Sequence, residues 1–227
     1  MSDKVWADFN DYVLPFANAP KIIAERATLL SCKEFLDITL TLRSLFDEFA
    51  TVADQSEYSL AYVSEGIGTA SGQYETISIV PKTVYIGTSL ELFETTEDAL
   101  ENRVYNWLQQ SATNPTHYFQ TWDRKMRMYP TPSAVSSSNV SGEAYITITE
   151  AAVGVFDVIY NRWKEHIGYG AVARLLRMPN QQWSDLSGAE YFDLKYRQAK
   201  SRAKSIVNKG RTTKPTSVRP VDTFLIA

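Results

Sequence analysis

Cysteine and histidine are almost missing from this chain of 227 residues: Cys32 stands alone, and His117 and His166 are the only imidazoles. A lone cysteine cannot close an internal disulfide, and its place in a helical pattern reads as a small core residue, not a nucleophile. Two histidines, one in an expected strand and one in an expected helix, exclude a multi-histidine metal site. No cysteine cluster, nucleophile elbow, P-loop or G-x-G-x-x-G is present, and Gly66-Ile67-Gly68 is too short to count as one. No cofactor and no metal are therefore expected. Long apolar runs are lacking too, and Met1-Ser2-Asp3-Lys4-Val5-Trp6 has neither a basic n-region nor an apolar h-region. This predicts no membrane span, no signal peptide and a protein acting in the cytoplasm where it is made.

What the chain does have is a core-forming composition, 44% hydrophobic and 22% charged, enough for one large or two small domains. Its charge is unevenly spread. The last thirty-three residues, from Lys195 on, hold nine Lys and Arg against one Asp, whereas the preceding 194 hold fourteen against twenty-five. The difference is +8 against −11, which sums to the net −3 of the whole. Opposite charges of this kind suit a chain that holds copies of itself, or a partner, by its end. From Lys214-Pro215 through Val218-Arg219-Pro220 to Phe224-Leu225-Ile226 two prolines forbid a helix, so the basic helix runs into an extended arm with an apolar ending.

Apolar steps of three and four predict a helix over 20–43, through Ile23, Ala27, Leu30, Phe35, Ile38 and Leu42. The middle of the chain reads as β. Residues 46–52 and 57–63 form an expected hairpin around Ala53-Asp54-Gln55-Ser56, and 73–80 and 83–93 are further strands. Thr96 caps a short helix with Leu100, Val104, Trp107 and Leu108 on its buried stripe. A second hairpin joins 117–122 to 125–129, a serine-rich loop follows over 133–142, and 143–149 alternates as an edge strand. Beyond it Phe156, Ile159, Tyr160, Trp163, Ile167, Ala171, Leu175 and Met178 mark a helix that stops at Pro179, kept thin by Gly168 and Gly170. Ser187-Gly188-Ala189-Glu190 has capping-box form and opens a last helix through Phe192, Tyr196, Ala199, Ala203 and Ile206. The expected fold is α+β: a helical bundle of 1–44 with 150–210, an inserted antiparallel β-domain over 45–149 carrying one short helix, and a C-terminal arm over 211–227.

Several blocks resemble one family in order and spacing. Tyr12-Val13-Leu14-Pro15-Phe16-Ala17-Asn18-Ala19-Pro20 leading to Cys32-Lys33-Glu34-Phe35-Leu36-Asp37-Ile38-Thr39 resembles the opening of the phage head-to-tail adaptors, also called tail tubular protein A or gateway proteins. Met126-Arg127-Met128-Tyr129-Pro130-Thr131-Pro132 is similar to the family's strand ending, and 160–171 with Met178-Pro179-Asn180 and Trp183-Ser184-Asp185 to its helix-and-turn segment. Family members more often carry small residues where His166-Ile167-Gly168-Tyr169 stands, and often a cysteine near Leu36. The resemblance implies a non-enzymatic virion protein, assembled in the host cytoplasm: a ring of twelve copies under the portal protein, joined below to the next tail protein. DNA would pass through without sequence-specific binding.

On this reading the basic helix and arm bind the portal or a neighbouring subunit through Lys195, Arg197, Lys200, Arg202, Lys204, Arg211, Lys214, Val218, Arg219, Pro220, Phe224, Leu225 and Ile226. Ser133, Ser136, Ser137, Ser138 and Asn139 form a loop that either contacts the next tail protein or is only a flexible connection. The plainer account of the basic helix is a solvated surface with Ala199 and Ala203 inward. Two other functions compete. A nucleic-acid-binding module would use the same cations, although base-reading Asn or Gln at regular spacing are missing and the acids are many. A peptidoglycan-degrading tail enzyme would need a carboxylate pair such as Glu143 and Glu150.

Overall fold

In a computed structural model the described residues are 3–62, 74–87, 90–135 and 139–211, and they form an α+β protein of mostly antiparallel sheets. Five α-helices lie among them: α1 (Asn10–Val13), α2 (Lys21–Thr39), α3 (Glu97–Arg103), α4 (Asp157–Leu176) and α5 (Leu186–Arg211). The helix expected over 20–43 starts at its proline and ends early. Thr39 turns its hydroxyl back onto the Phe35 carbonyl at 2.7 Å, Leu40 enters the left-handed region at φ 53, and Arg43–Leu45 leaves as a strand. β-branched threonines pay side-chain entropy in a helix, so the ladder wins the last turn.

That strand explains a second departure. The edge strand expected over 143–149 runs as Glu143–Ile148 and lies in the centre, between Arg43–Leu45 and Tyr74–Ile79. The register slips between Tyr145 and Ile146, and Ala144 through Ile148 are all buried. An irregularity of this kind breaks simple alternation while both faces are covered, which the sequence pattern alone presents as one wet face. Ala144, Ile146 and Ile148 pack in one cluster with Phe35 and Leu36 of α2 and with Ile159, Trp163 and Ile167 of α4.

The runs 46–52 and 57–63 do not pair as a strand hairpin among the described residues, although the Asp47 amide donates to the Ala61 carbonyl at 2.8 Å. Phe49 makes an isolated bridge to Val140, and Glu57–Tyr58 pairs instead with Met126–Arg127; Val63 lies outside the described residues. Tyr58 ties the intervening turn locally, its hydroxyl donating to the Gln55 carbonyl at 2.8 Å. The other hairpin forms as His117–Gln120 against Met126–Tyr129, with Met126 and Met128 buried and Trp122 96% exposed in the turn. Residues 83–93 hold three short strands, Tyr85–Ile86, Leu90–Glu91 and Phe93–Glu94, not one. Helix α3 is capped as expected, the Ala99 amide donating to Thr96 Oγ1 at 3.2 Å. Leu100 and Trp107 are buried with Phe119 and Tyr129, but Leu108 faces out, 58% exposed.

Two features near the ends were not expected. Gly154–Phe156 is a strand, paired antiparallel with Asp3–Val5 across the whole length of the chain, and only then does α4 begin. A Cβ at Gly154 would collide with the Lys4 carbonyl, so the ladder closes only over glycine. Helix α5 starts at Leu186, one residue before Ser187, and the Asp185 carboxylate accepts from the Ser187 amide at 3.1 Å and hydroxyl at 2.8 Å. The cap is Asp185, not the capping-box serine.

Candidate interaction surfaces

The basic helix is held by its apolar stripe. Tyr196, Ala199 and Ala203 are buried, and the Tyr196 hydroxyl donates to the Ser31 carbonyl of α2 at 2.5 Å. Gly170 lets α4 approach this ring: a Cβ there would stand 2.9 Å from Tyr196 Cε2. Ile206 lies at the margin, 37% exposed.

With the helix so oriented, its cations divide. Lys200 Nζ lies 2.5 Å from Glu34 Oε1, Arg174 Nη2 lies 2.5 Å from Glu34 Oε2, and only 14% of the Lys200 side chain is exposed. Lys200 is therefore a fold residue tying α5 to α2, and not a free contact for a partner. Burial works to raise the Glu34 carboxyl, but the bonds from Lys200 and Arg174 outweigh it and hold it below the usual carboxylate range. Arg197 is partly used in the same way. It shares Asp193 with Arg177, at 2.6 and 2.8 Å.

Lys195 and Arg202 enter none of the ion pairs among the described residues. They flank a cleft of about 410 Å³ between α4 and α5, with Glu165, His166 and Tyr169 opposite and Tyr191 and Gln198 alongside. Lys195 Nζ sits 5.5 Å from the Tyr191 ring centre. Burial lowers the His166 imidazole, partly offset by Glu165 and reinforced by Arg202, so this histidine is neutral near pH 7. The Tyr169 hydroxyl donates to Glu165, and that bond together with burial pushes it up to about 12. Lys204 is exposed on the opposite side of the stripe, and Arg211 is the last residue of α5.

The remaining expected contacts lie elsewhere. Lys214, Val218, Arg219, Pro220, Phe224, Leu225 and Ile226 are outside the described residues, as are Ser136, Ser137 and Ser138. The flanks of the serine loop are attached to the β part: the Ser133 amide donates to Ala112 at 2.9 Å, and Asn139 accepts from the Gly87 amide at 2.8 Å. Glu143 is paired with Arg43 and Glu150 with Arg26. Glu143 opens the central strand and Glu150 lies in the turn after it, each engaged by a different arginine. Cys32 is fully buried in α2 and burial pushes its thiol up, which leaves it unreactive. Among the described residues no helix is long and apolar enough to cross a membrane.

Sequence reasoning missed one surface. Glu91, Glu94, Glu97, Asp98 and Glu101 enter none of the ion pairs among the described residues, and all but Glu91 are exposed. Phe93, Tyr105 and Leu108 are 59%, 89% and 58% exposed around them. The signal was five acids within eleven residues, visible but diluted by the acidic body. The chain matches no protein-family model and no curated protein.

Proposed function

We propose that the chain is a structural head-to-tail connector of a tailed bacteriophage: a ring of twelve copies joined side by side under the portal, with the next tail protein below and DNA passing through. The observation that supports it most is the resemblance, in order and spacing, of sequence blocks to the adaptor family, whose helix-and-turn block falls on a helix and a built turn. After α4 the Asp185 amide bonds back to the Leu176 carbonyl at 3.0 Å, and the Gln181 amide donates to Ser184 Oγ at 3.1 Å. Oppositely charged outer surfaces, each with exposed apolar side chains, fit a protein whose work is contact with other chains. Its acidic excess suits a channel wall that duplex DNA must pass without sticking. The use of Lys200 and Arg197 within the fold leaves less cation for a nucleic-acid-binding role.

The test is removal of residues 211–227. The shortened chain is expected to give the circular dichroism of the folded protein and to lose co-sedimentation with the portal, because the apolar ending contributes only in the complex. Normal assembly of the shortened chain would sink the role given to the arm, and electron micrographs of particles without a ring at the head-tail junction would sink the connector itself.

A further inference from the structure

The acidic projection and the cationic cleft are anchored in different parts of the molecule. The projection, 91–108, rests on the cluster of Leu100, Trp107, Phe119 and Tyr129, whereas the α4 and α5 walls of the cleft rest on clusters shared with α2. Its carboxylates act together: the Tyr118 hydroxyl is raised first by burial and then by both Glu94 and Glu91, so the two are close enough to be felt at one point. In α3 Glu97 and Glu101 are one turn apart and share a face. Across from them in type, Lys195 and Arg202 stand two turns apart on α5, with Tyr191 and Leu194 exposed by 57% and 55%. Each surface thus combines unpaired charge with exposed apolar side chains, the composition of an interface core and its rim.

We propose that the cleft between α4 and α5 receives the 91–108 projection of a second copy of this chain, with Glu97 and Glu101 set against Lys195 and Arg202. This deepens the connector reading and rests on it for the reason that copies meet at all. The contact is heterologous: a projection placed in a neighbour's cleft leaves one free cleft and one free projection, so it propagates into a ring or filament instead of closing as a pair. Neutral His166 adds no charge to the cleft and Glu165, bonded by the Tyr169 hydroxyl, contributes one negative charge, so Lys195 and Arg202 leave the cleft net positive and are the cations that select the partner. The favourable energy resides in the apolar contacts, while the charges set register and encounter rate.

The test is trapping by disulfide exchange. Cys32 is buried and stays out of the reaction. Full-length chains carrying Asn102→Cys and Gln198→Cys are mixed under mild oxidation, beside a control mixture in which Lys82→Cys replaces Asn102→Cys. The 102–198 linked pair is expected to form at least about tenfold faster than the control, and more slowly as salt rises. Adding Lys195→Glu and Arg202→Glu to the Gln198→Cys chain should remove the advantage, and adding Glu97→Lys and Glu101→Lys to its partner should restore it. Linking no faster than the control, or indifferent to both reversals, overturns the contact. Rings seen in particles together with that result would leave the connector standing with other faces joined. Charge-dependent trapping without rings in particles would do the reverse.

Discussion

Replacing Gly170 by alanine sets two effects of opposite sign against each other. In an exposed helix the change stabilises by about 0.5–1 kcal/mol, because glycine loses more backbone freedom on folding. Here the new methyl would meet the Tyr196 ring at 2.9 Å. The ring has little room to yield. Its hydroxyl is fixed to the Ser31 carbonyl at 2.5 Å, Phe35 stands 6.4 Å away centre to centre, and Lys200 Nζ covers it at 4.4 Å. Overpacking a site of this kind costs about 1–3 kcal/mol, so Gly170→Ala should be net destabilising by roughly 1–2 kcal/mol. For a chain of this size that lowers Tm by about 2–8 °C. The assay is urea unfolding followed by circular dichroism, reading the midpoint at unchanged slope. A gain in stability of the size seen for a free helix surface would refute the close approach of α4 to α5.

Glu34→Gln removes the acceptor shared by Lys200 and Arg174; because the site is a third open to water, the expected loss is only about 0.5–1 kcal/mol at neutral pH. Since the Glu34 carboxyl is held below its ordinary value, its contribution is present above about pH 4 and is lost as pH falls through the folded value, so the two proteins should converge in acid. A gap that persists in acid would count against the pairing. At the start of α5, Asp185→Ala should lower Tm and Ser187→Ala should lower it less, since the carboxylate meets both the Ser187 amide and its hydroxyl. The opposite ranking in a thermal melt would return the cap to Ser187.

Much of the helical part was legible because its signals are local. Thr96 before Glu97-Asp98 announces a cap, Pro20 opens α2 and Pro179 closes the segment after α4, and each acts within a turn of itself. The β part was less legible because its partners are distant. Nothing in Gly154-Val155-Phe156 names Asp3-Lys4-Val5 as its neighbour, and the slip beside Tyr145 hides a central strand behind an edge-like alternation. Residues 46–52 carry strand composition and 53–56 turn chemistry, yet the pairing of Glu57–Tyr58 with Met126–Arg127 takes precedence over the local hairpin.

Charge shows the same division with a functional consequence. The formal excess of the basic tail overstates what a partner would meet, because Lys200 finds Glu34, 166 positions away, and Arg197 finds Asp193. The acidic excess is likewise partly consumed, by Glu34, Glu75 and Asp193 inside the fold, while the carboxylates of 91–101 remain outside every ion pair among the described residues. A charge count from sequence cannot separate the two sets, since both look alike in composition. Folding separates them: a cation whose ammonium lies over a buried ring and meets a half-buried carboxylate serves stability, whereas Lys195 and Arg202, left at the mouth of a cleft, stay available to another chain.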